Sequence, residues 1–85
     1  MRVYHRTTPE AADAIRATGR FLSRENTGDV FVSNRRGNGY TEGYGAGIVA
    51  LDVPDELLTL DDEFPTGERH YAVPARVILP AWILP

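Results

Sequence analysis

The side chains of this sequence that could do chemistry are few and scattered. They are His5 and His70, the only histidines; Ser33 at the end of an apolar run; Tyr40 and Tyr44 among glycines; and Glu68 after Thr66-Gly67. A metal centre needs several ligands at close spacing. Neither histidine has a second one a helical turn away, cysteine is absent, and Asp61-Asp62-Glu63 lacks the alternation of a calcium loop, so no metal is expected. Ser33 lies outside any Gly-x-Ser-x-Gly elbow, which argues against triad chemistry. Gly37-Asn38-Gly39 and Gly43-Tyr44-Gly45-Ala46-Gly47 carry no Walker lysine; a P-loop is excluded, although backbone N–H groups there could cradle an anion. What is left is an imidazole at His5, an aromatic face at Tyr40 or Tyr44, and a carboxylate at Glu68. Each also has a plainer role: a hydrogen-bonded strand histidine, tyrosines covering glycine backbone, a solvated glutamate where a strand begins.

The elements that must position these groups fit in one small domain of 85 residues and 9.4 kDa. A hydrophobic fraction of 42% and a charged fraction of 25% are ordinary for a globular chain, which removes the disordered and low-complexity classes. Without cysteine, neither disulfides nor thiolate metal sites can compensate for small size. No apolar run is long enough to span a membrane, and Met1 opens straight into a strand-like segment rather than a secretory signal, so a cytoplasmic location is expected. The net charge of -3 argues against non-specific wrapping of nucleic acid. Its distribution is uneven: through residue 40, seven arginines face Glu10, Asp13, Glu25 and Asp29 for a net of +3, whereas from residue 41 Arg69 and Arg76 face eight carboxylates for -6. The basic half suits an anionic ligand and the acidic half water or a basic partner. All nine cations are arginine, whose rigid fork fits phosphate, but a compositional bias toward arginine explains the absence of lysine equally and is the plainer reading.

Arg2-Val3-Tyr4-His5-Arg6 alternates and predicts a first strand carrying His5. Thr7-Thr8-Pro9-Glu10 then starts a helix. Thr7 and Glu10 fit a capping box, and Pro9 suits the first turn, where its missing N–H would be unpaired anyway. Ala11, Ala12, Ala14, Ile15 and Ala17 supply a small apolar face and Gly19 the stop, so a helix is expected over 9–18. Arg20-Phe21-Leu22 reads as a short edge strand, Glu25 to Asp29 as a turn, and Val30 to Ser33 as a buried strand. Asn34 to Gly47 holds five of the eight glycines and reads as a loop or short helix. Ile48 to Val53 is nearly continuous in apolar residues, which suits a central strand covered on both faces. Residues 55–58 form a single helical turn, and acidic Leu60 to Phe64 a solvated loop or edge. Glu68 to Val73 alternates as a strand that Pro74 interrupts and Ala75 to Leu79 can resume, with Trp82 docked on the core. The order predicts an α+β domain over residues 1–85, with a small mixed or antiparallel sheet and one main helix.

Read in order, Tyr4-His5-Arg6-Thr7-Thr8, a helix ending at Gly19, Val30-Phe31-Val32-Ser33, tyrosines before a strand, and Glu68-Arg69-His70-Tyr71-Ala72-Val73-Pro74 resemble the ADP-ribosyltransferase superfamily. The likeness is greatest to its His-Tyr-Glu branch of diphtheria-toxin-like enzymes and poly(ADP-ribose) polymerases; tRNA 2′-phosphotransferases and DNA-targeting bacterial toxins are similar at their amino ends. The resemblance implies a reduced ADP-ribosyltransferase-like fold with NAD as substrate and His5, Tyr44 and Glu68 as catalytic residues. His5 would bond the adenosine ribose. Tyr40 or Tyr44, with Tyr44 preferred, would stack on the nicotinamide ring. Glu68 would accept from the nicotinamide-ribose 2′-hydroxyl and stabilise the oxocarbenium ion as nicotinamide leaves. Arg6, or Arg20 or Arg24, would pair with the pyrophosphate, supported by Thr7 and Ser33. The implied activity is transfer of ADP-ribose to a macromolecular acceptor, protein or nucleic acid, as a toxin or phage-type effector would perform it. Thr66 stands where the arginine-modifying branch carries the first glutamate of its Glu-x-Glu pair, so arginine is not the implied acceptor. At 85 residues the chain is short for the superfamily, and a second subunit, either another copy or a partner protein, is expected to complete the cleft. Two other roles are carried beside this one: a non-catalytic protein-binding module on the same fold, and an RNA 2′-phosphotransferase-like enzyme.

Overall fold

The computed structural model describes residues 1–21, 28–37 and 39–85. Its first two elements follow from local chemistry. Strand β1 (Arg2–Thr7) runs into helix α1 (Pro9–Thr18), where Thr8 Oγ1 accepts the Ala11 N–H at 3.2 Å. Gly19 ends the helix at φ 71°, a left-handed conformation that glycine adopts without steric cost, and its N–H reaches the Ile15 carbonyl at 2.7 Å. The helix has the expected bounds, but its cap is Thr8 rather than Thr7. Thr7 pairs with Gly47 as the last residue of β1, so its backbone belongs to the sheet and its neighbour takes the capping position.

The remaining strands are β2 (Asp29–Ser33), β3 (Gly47–Asp52), β4 (Thr59–Glu63) and β5 (Arg69–Pro74). Together the five form one sheet in the order β3-β1-β2-β5-β4, with every pairing antiparallel. With α1 this is the α+β architecture the sequence predicts. Registered pairs Val3–Leu51, Val30–Val73 and Val32–Tyr71 place buried side chains opposite one another, and α1 adds Ala12 and Ile15 to the same core. Period-two alternation buries one face of β3 and of β5, whereas every residue of β4 is exposed. A fully buried side chain such as Leu51 contributes about 1.5–3 kcal/mol relative to exposure.

Three expectations are corrected. The apolar run 48–53 is not a central strand: β3 occupies one edge of the sheet. Its apolar residues are explained by the chain's end, which lies along that edge. The Leu84 N–H donates to the Ala50 carbonyl at 2.9 Å, and Leu51 forms a bridge with Ile83, so the tail covers backbone groups that an open edge would leave bare. The strand ending at Pro74 does not resume, because Ala75–Val77 forms a 3-10 turn. Nor are Arg20 and Phe21 in a strand, although Phe21 is buried in the core; Leu22 and residues 25–27 of the expected turn lie outside the described residues. Trp82, in the turn Pro80–Trp82, packs against the core, and Asp55–Leu57 forms the single turn expected there.

Candidate functional site

Strands β1 and β2 are neighbours, yet they share a single registered pair, Tyr4 opposite Ser33, whereas β1 pairs with β3 over six residues. Away from that pair a side chain bridges the strands: His5 Nδ1 lies 2.9 Å from the Phe31 carbonyl oxygen. A cleft of about 910 Å³ opens here. Its walls include His5, Arg6 and Thr7 of β1, with Ala14 and Ile15 of α1 as an apolar side. Tyr44, Arg20, Asp29, Asp61 and His70 bring polar groups to it from other parts of the chain. An apolar concavity of several hundred cubic ångströms with a few convergent polar groups is the usual form of a small-molecule site.

The bond of His5 fixes its chemistry. A carbonyl oxygen only accepts, so Nδ1 carries the hydrogen and Nε2 is left as an acceptor. Burial pushes the His5 pKa below the usual histidine value, although the bond to Phe31 pulls the other way. The ring is therefore neutral near pH 7. It is further held by Phe21, edge to face at 5.2 Å between centroids.

Glu68 precedes β5 and is almost fully buried, with 1% of its surface exposed. Both its carboxylate oxygens lie 3.2 Å from the Tyr40 N–H, and Oε2 makes a short contact with His70 Nε2. Gly39 passes directly over the carboxylate; a Cβ there would sit 1.9 Å from Oε1. Glycine is required at this point by close approach. The Tyr40 ring stacks on Phe64 at 4.0 Å between centroids, and Phe64 meets the His70 ring edge to face at 4.8 Å. Glu68 is thus enclosed by the Gly39–Tyr40 backbone on one side and His70 on the other. The group that reaches the cleft is His70.

Of the residues expected at a site, His5, Arg6, Thr7 and Tyr44 line the cleft, while Ser33, Tyr40 and Glu68 lie outside its walls. Between the two tyrosines, Tyr44 stands on the cleft with 69% of its surface exposed. Ser33 is buried and its Oγ accepts the Arg35 N–H at 3.1 Å. The Arg6 guanidinium is engaged with the glycine-rich loop, donating to the Gly45 carbonyl at 2.6 Å and the Arg36 carbonyl at 3.3 Å. Arg20 lines the cleft and makes no ion pair among the described residues; Arg24 lies outside them. His5 and Glu68 are not on adjoining strands, since β2 separates β1 from β5.

His70 and Asp61 are among the cleft residues that were not singled out from the sequence as cleft groups. His70 alternates with Glu68, a pattern that could have drawn attention to both. Asp61 is the extra residue of a β-bulge, since the β4–β5 register shifts between Leu60 and Asp62, and bulges re-aim a side chain in this way. No local pattern signals it. Among the described residues no group of three histidine or carboxylate side chains could hold a metal ion, and no helix is long and apolar enough to cross a membrane. No family model, curated protein or solved structure matches the chain.

Proposed function

We propose that this protein is an NAD-consuming ADP-ribosyltransferase-like enzyme whose substrate lies in the cleft at the β1–β2 split. The observation that carries this is convergence: His5, Tyr44 and His70, far apart in sequence, line one cleft, and Glu68 is bonded directly behind His70. His5 Nε2 accepts from a ribose hydroxyl. The Tyr44 ring offers a face to the cationic nicotinamide ring. Arg20 rather than Arg6 meets the pyrophosphate, because the Arg6 guanidinium is committed to loop carbonyls. The buried Glu68 carboxylate places negative potential at the end of the cleft, where it favours the oxocarbenium ion that develops as nicotinamide departs. A second copy or a partner protein supplies further cover over the exposed Tyr44 side. Such an enzyme works where NAD is held, in the cytoplasm.

Incubation with NAD and measurement of released nicotinamide tests the proposal. Wild type releases it, and His5→Ala and Tyr44→Ala release it about tenfold more slowly, as loss of a hydrogen bond or a cation–π contact of about 1–2 kcal/mol predicts. Silence from wild type, or release by Glu68→Gln at the wild-type rate, removes the enzyme. The enclosure of Glu68 beneath Gly39 favours the competing role, a binding module on this fold. A stable heteromeric complex with no NAD-dependent thermal shift would establish that role instead.

A further inference from the structure

Taking NAD as the ligand of the cleft, which rests on the function proposed above, we infer that His70 is the general base of the reaction, that Glu68 is the positioning residue behind it, and that the acceptor is a hydroxyl. His70 Nε2 faces a carboxylate oxygen, an acceptor, so Nε2 carries the hydrogen. Nδ1 is then the basic nitrogen. It has no hydrogen-bond partner among the described residues. The ring lines the cleft with 17% of its side chain exposed. Glu68 cannot turn toward the cleft itself, held as it is by the Tyr40 N–H and packed beneath Gly39. A carboxylate that fixes an imidazole tautomer and faces the imidazolium formed on proton uptake is a recurrent device for activating a nucleophile.

The chemistry selects the acceptor. A carboxylate acceptor has no proton to lose, and a guanidinium nitrogen, its lone pair delocalised in the cation, must lose its proton before it can attack, which imidazole is too weak a base to bring about. A hydroxyl loses its proton as its new bond forms, and imidazole is suited to receive it. In the step, the bond from ribose C1′ to the nicotinamide nitrogen breaks and its electron pair neutralises the nicotinamide ring. The acceptor oxygen bonds C1′, its proton passes to His70 Nδ1, and the imidazolium returns that proton to water.

The test uses NAD with water, then with added methanol, as the hydroxyl probes. Wild type yields ADP-ribose and, with methanol, its 1-O-methyl derivative, with a rate that falls at low pH along one protonation limb. His70→Gln lowers kcat about 100-fold or more with KM for NAD within about threefold, and loses the limb. Other titratable or charged groups near His70 are Asp62 opposite it on β4, Asp61 at the bulge, and Asp29, Arg20 and His5 on the cleft. The limb is therefore assigned to His70 only if His5→Gln and Asp61→Asn retain it, and its loss in either overturns the inference. Glu68→Gln, whose amide can donate to Nε2 and so reverses the tautomer, lowers kcat at least about tenfold. Nitrogen shifts of the wild-type imidazole, which require no variant to fold, show hydrogen on Nε2; hydrogen on Nδ1 overturns the inference. Nicotinamide release by His70→Gln at the wild-type rate overturns it while leaving NAD consumption intact. Absence of release from wild type overturns both.

Discussion

Gly39→Ala measures the enclosure of Glu68 directly. The added Cβ would lie 1.9 Å from Oε1 and 2.9 Å from Cδ, where ordinary contact begins near 3.4 Å, so the carboxylate or the loop must retreat by about 1.5 Å. That displacement breaks the contacts at 3.2 Å between the carboxylate and the Tyr40 N–H. Losing a hydrogen bond to a carboxylate costs about 1.5–3 kcal/mol, and overpacking a filled site costs about 1–3 kcal/mol. Relief of one relieves part of the other, which leaves an expected cost of about 2–4 kcal/mol. Glu68→Ala removes the group that the new methyl meets. In that background Gly39→Ala should cost less than about 1 kcal/mol, a coupling of at least about 1 kcal/mol between the two positions. Urea unfolding of the four proteins, read as midpoints with unchanged slopes, gives the cycle. Equal cost of Gly39→Ala in both backgrounds would refute the packing of Gly39 on Glu68 and with it the account of why Glu68 stays out of the cleft.

His5 makes stability depend on pH. Its pKa lies below the ordinary value of 6.5 in the folded chain, so the unfolded chain binds the proton first. The stability it contributes is complete above about pH 6.5 and declines as pH falls toward the lowered folded value; unfolding from pH 8 to 5 should show this decline flattened in His5→Gln, and an imidazole titrating at or above 6.5 by NMR would contradict it. Thr8→Ala should destabilise by about 1 kcal/mol and Thr7→Ala by about half that or less, since only Thr8 caps α1; thermal melts showing the reverse order would return the cap to Thr7. Leu84→Pro deletes the N–H that reaches the Ala50 carbonyl. It should cost about 1 kcal/mol and speed amide exchange along β3, and unchanged exchange would mean that the tail does not guard this edge.

The helix was legible because its signals are local: a hydroxyl before Pro9, small apolar spacing and Gly19. Which of two adjacent threonines caps it was not, since both have the right hydroxyl and the β1–β3 register decides. The strands around His5 and Tyr71 were legible from alternation, and the one at Val30 from its short apolar run. The place of 48–53 at an edge was not, because an edge covered by Ile83 and Leu84 reads as apolar as a central strand. The cleft itself comes from a long-range event, the single pair at which β1 and β2 meet before the sheet splits. His5 and Tyr44 were recognisable as residue types suited to a site. That Glu68 would fold beneath Gly39 and leave His70 on the cleft depends on a contact across twenty-nine positions, which no spacing rule contains.

Titration of the isotope-labelled protein with NAD, followed through backbone amide shifts, tests the central claim most directly. The account predicts saturable shifts concentrated at His5, Thr7, Phe31, Tyr44 and His70, on the two sides of the β1–β2 split, and weakened in His5→Ala. A spectrum unmoved by millimolar NAD, or shifts gathered at the far edge along β3 and the terminal tail, would contradict it.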